Sequence, residues 1–382
     1  MDAPPLLEVV RSGIQRGGPM TFAAFMQLAL YHPKHGFYAG PGRGPGFDFR
    51  TSPSLTPAFG TLLTRAFTSM WKALGEIEGF TVVEVGPGGG ELAQSVWESA
   101  EPEFRSALRW EFVERFPALR EVQAKRLEGT GLRVAWRDSP ADGTAIVGCV
   151  FANEVVDNFP VHVFQIDEGS AREVYVALDE DHLVEALGPS SSEAAGILAA
   201  EAARHLEEGD RFEVCTAMEG WCRETATALE SGYLLVIDYG DTEPQIWTRR
   251  PGGSVVTYKD ERLGDQPLEA PGDADITFHV NFTHLANAAG RAGFRGVRLA
   301  TQRRFLERLG VSEIASDLAS LQKEAEAEGQ HAEAMHLLAE RGRLGALGGR
   351  GGLGDLLVLL GSKGAPEDPF KLEDLHPGVA RD

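Results

Sequence analysis

Cysteine is scarce in this chain: three occur in 382 residues, Cys149, Cys215 and Cys222. Their spacing matches neither a C-x-x-C pair nor a disulfide framework, which excludes a disulfide scaffold and gives a thiolate metal site no support. Cys149 lies in an apolar run and reads as a buried thiol. Basic residues are also short, with 36 Lys plus Arg against 57 Asp plus Glu and a formal charge of -21. That balance repels a polyanion before contact, so nucleic acid is excluded as a general partner, while a small molecule or a basic peptide segment fits. No stretch of about 18 apolar residues is present to span a bilayer, so no membrane partner is expected. The first residues, MDAPPLLEVVRSGIQRGG, carry Asp2 and Glu8 and lack a long apolar core, a poor signal or transit peptide. Together these absences predict a cytoplasmic protein without metal.

What is present is the composition of a soluble globular protein, 43% apolar and 24% charged, long enough for one large domain with insertions or two smaller ones. The most informative stretch is residues 80–94, FTVVEVGPGGGELAQ. An apolar run reaches Glu84, a glycine-rich turn follows through Gly86, Gly88 and Gly90, and a helix-forming segment starts at Glu91. That succession is the first βα unit of a nucleotide-type α/β domain, where glycines let backbone approach a ligand and take positive φ. A dinucleotide fold would place a third glycine where Glu91 stands. The pattern resembles instead the E-x-G-x-G of class I S-adenosylmethionine-dependent methyltransferases, whose cationic cofactor suits a strand-end carboxylate.

Taken in order, residues 1–30 predict two short helices, the second capped by Thr21. The segment YHPKHGFYAGPGRGPGFDFRTSPSLTPAFG, dense in Gly, Pro and aromatics, predicts an ordered lid. A helix is then expected from Thr56-Pro57 to about Leu74. A second strand, RWEFV, ends at Glu114, where doubly wound folds place a carboxylate on ribose hydroxyls. The helix PALREVQAKRL and a third strand, LRVAWRDS, follow, with Asp138 positioned to reach an adenine amine. A fourth strand, AIVGCVFA, runs into Asn153-Glu154-Val155-Val156-Asp157-Asn158-Phe159-Pro160, a polar loop aimed at the ligand edge. Residues 161–165 and 171–178 predict a hairpin, 191–231 helix, GYLLVIDYGD a core strand ending at Asp238, and 252–282 a long loop containing His279. The closing part predicts a short helix at 283–292 and an antiparallel pair, FRGVRLATQ with GLGDLLVLLGS. A helix at 311–341 lies between them, GALGGRGGLG is a flexible loop, and a loose tail ends the chain.

Eight of these stretches, in order over about residues 20–310, resemble one family: FMQLALYHPKHGFYAG, DFRTSP with AFG, VEVGPGGGELA, FVERFPALREVQ, FANEVVDNFPVHVF, LLVIDYG, PGDADITFHVNF and TQRRFL. This is the MidA-like (DUF185) group of S-adenosylmethionine-dependent methyltransferases, which includes a mitochondrial arginine methyltransferase assisting complex I assembly. The resemblance implies an α/β, Rossmann-like class I methyltransferase core with a mostly parallel sheet. To it the resemblance adds an N-terminal helical and lid region at 1–75, a core at 76–310 with an insertion at about 161–231, a closing part at 311–363 and a tail at 364–382. Carried over by position, Glu84, Gly86, Gly88 and Glu114 belong to the cofactor site, with Thr51 and Ser52 closing over it. Gly90, Asn153 and Asp138 border that site. Glu154, Asp157, Asp48 and Asp238 face the acceptor. The chain departs from the family at Gly89, Ser54, Asn158-Phe159 and Asn281, where relatives usually carry Arg, Glu, Ala-Leu and Asp.

The implied cofactor is S-adenosyl-L-methionine, and the expected activity is methylation of an arginine in a protein or peptide. Two alternatives stand beside it: a small-molecule N- or O-methyltransferase using His279 or Asp238 as base, and a non-catalytic assembly factor retaining the fold. The oligomeric state is open, a homodimer among the options.

Overall fold

The computed structural model describes residues 5–40, 52–259, 262–372 and 374. The chain forms two compact units from interleaved segments. One comprises Met1–Phe49, Glu154–Trp221 and Tyr239–Leu285, the other Arg50–Asn153, Cys222–Asp238 and Ala286–Asp382. The chain passes from one unit to the other after the strand ends at Asn153 and Asp238.

The second unit is built on a seven-stranded sheet. Its strands are β1 (Phe80–Val85), β2 (Leu108–Val113), β3 (Val134–Arg137), β4 (Ile146–Asn153), β5 (Leu229–Asp238), β6 (Arg295–Thr301) and β7 (Leu357–Lys363), in the spatial order β6-β7-β5-β4-β1-β2-β3. β1 to β5 run parallel, and β7 is antiparallel to both β5 and β6. Every residue of β1 is buried, as a central parallel strand covered on both faces requires. Three helices matter for the site: α1 (Pro57–Ala73), α2 (Glu91–Ser99) and α3 (Pro117–Leu127). α1 starts as expected, with Thr56 as N-cap accepting from the Ala58 N–H and Pro57 in the first turn. Its Phe67 is fully buried, edge-on to Trp110 and Phe151 at 5.8 Å each.

The first unit contains the helices Pro5–Gly17 and Phe22–Tyr31, the latter capped by Thr21. It also contains a five-stranded antiparallel sheet with His162–Asp167, Ser170–Asp179, His182–Gly188 and Arg211–Val214. The expected hairpin at 161–178 is its centre. Residues 191–231 are not one helical stretch: RFEV within them is a strand, because Phe212 stacks on Phe164 at 5.6 Å in the small core of this unit. The expected loop at 252–282 instead holds a three-stranded sheet of Val256–Lys259, Arg262–Gly264 and Asp275–Thr277, and Val280–Asn281 pairs with Gly240–Asp241. The Gly, Pro and Asp between these short strands mask their alternation in the sequence.

In the second unit, the helix expected at 311–341 divides into Val311–Ala327 and His331–Gly348, broken at Gly329 with φ 71°. The first four residues of the expected flexible loop, 345–348, are the last turn of the second helix. The tail expected to be loose packs as far as Asp374: Phe370 meets Phe305 at 5.7 Å, Leu372 is buried, and Asp374 Oδ1 accepts from the Leu299 N–H at 3.2 Å. All three cysteines are buried and none is in a disulfide, and no helix among the described residues is long and apolar enough to cross a membrane.

Candidate active site

β1 places Glu84 one residue before its end, side by side with Phe112 of β2 and Phe151 of β4. The carboxylate is 5% exposed and accepts from Trp110 Nε1 at 2.9 Å. Burial pushes its pKa up to about 8, the Trp110 bond opposing and Glu91 adding to the rise. The turn after it carries Gly86, Gly88 and Gly90 at φ 62°, 54° and 83°, a left-handed run that a Cβ would strain. Gly90 is the N-cap of α2 and has no side chain with which to cap it.

Glu114 directly follows β2 and is 7% exposed. Its Oε1 accepts from the Phe116 N–H at 2.8 Å and its Oε2 from Gln123 Nε2 at 3.4 Å. Burial pushes this carboxyl up, the two bonds pulling it back. Arg120 Nε donates to the Glu114 carbonyl at 2.7 Å. Asp138 lies just after β3, exposed, and pairs with Arg120 at 2.5 Å. Asn153 is the last residue of β4, half-buried, and Asp238 the fully buried last residue of β5. Ser52 opens a short helix, fully buried, its hydroxyl donating to Gln302 Oε1 at 3.4 Å. The structure thus brings Glu84, the three glycines and Glu114 to the carboxyl edge of adjacent parallel strands. Asp48 and Thr51 lie outside the described residues.

Of the acceptor-side candidates, Glu154 and Asp157 lie in the first unit and Asp238 in the second. Glu154 has φ 53°, left-handed for a residue with a Cβ, which is strain of the kind found at functional loops. Asp157 sits in the 3-10 turn Val156–Asn158, 5% exposed, with its carbonyl accepting from the Phe278 N–H at 3.0 Å. The next residue anchors the turn. Asn158 Nδ2 donates to Asp275 Oδ1 at 3.0 Å and to the Ile276 carbonyl at 3.1 Å, and its Oδ1 accepts from the Tyr38 hydroxyl at 3.0 Å. The Tyr31 hydroxyl donates to the Asn158 carbonyl at 3.0 Å. Tyr38 also reaches Asp275 at 3.0 Å, and burial with the nearby Asp275 holds its pKa well above the usual phenol value. Burial, then Asp157, Asp275 and Glu154, push the Tyr258 phenol up as well. Three carboxylates and two phenols therefore share one electrostatic environment. His279 is half-buried at the other end of the same strand region, its Nδ1 without a hydrogen-bond partner among the described residues. Burial, with Arg250 nearby, lowers its pKa to about 4, so the imidazole is neutral at pH 7.

Residues absent from the sequence reading include Trp110, Gln123, Tyr38, Tyr258 and Asp275. Trp110 could have been found from strand alternation, two residues before Phe112 on Glu84's own face. Asp275 and Tyr38 stand inside quoted motifs but carry no signal of their pairing, which joins residues 237 apart in the chain.

A family profile described as "Putative S-adenosyl-L-methionine-dependent methyltransferase" matches residues 62–299. Among curated relatives, the zebrafish (Danio rerio) protein arginine methyltransferase NDUFAF7, mitochondrial, is 30% identical over 337 residues, 80% of this chain and 76% of its own. The human protein of that name is 30% identical over 80% of this chain and 74% of its own. A solved structure of a COG1565 superfamily member from Burkholderia thailandensis, bound to S-adenosyl-homocysteine, superposes with a TM-score of 0.83 at 25% identity over 98% of both chains. The expectation of a cytoplasmic protein is corrected by the relatives, which carry mitochondrial names in vertebrates and in Drosophila melanogaster. With its strand order, its strand-end glutamates and this match over most of its length, the chain belongs to the MidA-like family of S-adenosyl-L-methionine-dependent methyltransferases, and S-adenosyl-L-methionine is its cofactor.

Proposed function

We propose that the chain transfers the cofactor's methyl group to an arginine side chain of a protein, with Glu154 and Asp157 holding the guanidinium. The observation that carries this reading is that Glu154, held at φ 53°, and the buried Asp157 follow directly on the carboxyl end of β4, and that Asp157, Asp275 and Glu154 all raise the Tyr258 phenol, a negative charge that matches a planar cation. The names of the curated relatives as protein arginine methyltransferases support the same acceptor.

The cofactor supplies a methyl already activated by sulfonium. The buried Glu84 suits a cationic ligand, the left-handed glycines admit close backbone approach, and Glu114 offers a carboxylate to vicinal hydroxyls. Chain connectivity supports the acceptor role of Glu154: it follows the last residue of β4, and ligands of open α/β sheets bind beyond the carboxyl ends of the strands. Two carboxylates can hold a guanidinium by paired, charge-assisted hydrogen bonds and orient one nitrogen toward the methyl. Such positioning is typically worth about 7–11 kcal/mol, against roughly 3–5 kcal/mol for a general base. With its pKa lowered to about 4, His279 is a weak proton acceptor at pH 7, and the arginine reading gives it no part in the transfer.

The test is transfer of labelled methyl from S-adenosylmethionine to arginine peptides and their lysine counterparts, with acid hydrolysis of the products. Label in ω-N-methylarginine is expected. Label confined to lysine, or to small-molecule acceptors offered in parallel, refutes the arginine reading. Glu154→Gln should keep S-adenosyl-homocysteine affinity within about twofold while lowering transfer at least about a hundredfold; full turnover in that variant would remove the clamp. Sedimentation of the same sample reports whether a homodimer forms.

A further inference from the structure

Helix α3 carries Arg120, Gln123 and Arg126 at successive intervals of three, so they share one face. All three reach back to the loops that bear the cofactor residues. Arg120 Nε donates to the Glu114 carbonyl at 2.7 Å, Gln123 Nε2 to the Gly88 carbonyl at 2.8 Å, and Arg126 Nε to the Gly89 carbonyl at 2.7 Å. Arg126 also pairs with Glu91 at 2.6 Å. Gln123 is the fully buried member. Its amide has one possible orientation: Trp136 Nε1, which can only donate, bonds Oε1 at 2.8 Å. The NH2 group is therefore turned toward the Gly88 carbonyl and toward Glu114 Oε2 at 3.4 Å.

We propose that Gln123 is a positioning residue for the cofactor, one amide tying the Gly88 carbonyl and the Glu114 carboxylate into a single preformed frame. The inference rests on the reading of the glycine turn and Glu114 as the cofactor site. A turn with left-handed glycines at 86, 88 and 90 has wide conformational freedom unless its carbonyls are held. Gln123 and Arg126 hold two consecutive ones. The amino-acid end and the ribose end of the cofactor then meet binding groups at a fixed separation, and affinity gains because less ordering remains to be done on binding. Removing the Gln123 donor leaves a carbonyl and a carboxylate without their partner in a closed environment.

Gln123→Met keeps length and burial but removes the donor. Gln123→Glu keeps the acceptor for Trp136 and regains a proton to donate in acid. Calorimetric titration with S-adenosyl-homocysteine at pH 5.5 and 8.0, beside thermal denaturation, reads both. Gln123→Met should weaken binding about tenfold or more at both pH values. Gln123→Glu should lose more affinity at pH 8.0 than at pH 5.5, each measured against the unmodified protein at that pH. A role confined to packing would lower the melting temperature and leave the affinity of the folded protein and its pH response unchanged, and that result overturns the proposal. If Gln123→Met does not fold, the pH response of Gln123→Glu decides alone. Glu114→Ala in parallel separates the two layers: normal binding there refutes the cofactor-site reading, whereas lost binding there with normal binding in Gln123→Met refutes only the positioning role.

Discussion

Replacing Glu84 by Gln tests the electrostatics of the cofactor site. Burial pushes the Glu84 carboxyl up to about 8, so at pH 7 about 0.9 of the molecules carry the proton. A cationic ligand favours the carboxylate, and binding at pH 7 should therefore release up to about 0.9 proton. The sign follows: the ligand selects the ionised form, so affinity rises with pH until the carboxyl is ionised on its own. With a pKa of about 8 the ionised fraction grows from about 0.01 at pH 6 to about 0.24 at pH 7.5, a gain of about 25-fold in affinity. Near pH 8 the gain ends, because the ligand's own ammonium begins to lose its proton. Calorimetry with S-adenosyl-homocysteine in two buffers of different ionisation enthalpy measures the proton directly, and a series from pH 6 to 7.5 measures the slope. Glu84→Gln retains an acceptor for Trp110 and should bind more weakly, with most of the slope and the released proton gone. Folding offers a second readout. A folded pKa above the ordinary 4.5 means that the stability carried by the neutral form is complete below about pH 4.5 and is lost as pH rises toward about 8. The ceiling is roughly 5 kcal/mol, so Glu84→Gln should be the more stable protein at pH 8.5. An affinity that is flat from pH 6 to 7.5 in the unmodified protein, with no proton released, would refute the reasoning.

Two further outcomes follow from buried contacts. Tyr38→Phe removes the hydroxyl shared by Asn158 and Asp275; urea unfolding should show a loss of about 1–3 kcal/mol with S-adenosyl-homocysteine binding unchanged within about twofold, and an unmoved midpoint would mean the network contributes nothing. Phe67→Ala empties the space against Trp110 and Phe151, so stability should fall by about 3–5 kcal/mol. Cofactor affinity should fall with it, because Trp110 loses the ring that holds it against Glu84; unchanged affinity would show that Trp110 needs no such support.

The amino-acid sequence by itself determined the elements of the methyltransferase core. Apolar runs ending at Glu84 and Glu114, the glycine turn, the Thr56 cap and the helix PALREVQAKRL are local signals, and each is found where the pattern puts it. The antiparallel closing pair was legible for the same reason. The strands at 182–188, 211–214, 256–259 and 262–264 were not, since short strands among polar residues exist only through partners distant in the chain. The break at Gly329 and the docking of Phe370 and Leu372 likewise depend on what packs beside them. For the site, residue types at strand ends pointed to Glu84, Glu114, Glu154 and Asp157. Tertiary structure alone decided which carboxyl is buried enough to titrate near pH 8, that the Tyr38 hydroxyl bonds Asp275, and that the amide of Gln123 faces Gly88. Desolvation and hydrogen-bond direction are properties of surroundings assembled from separate parts of the chain, and no local pattern encodes them.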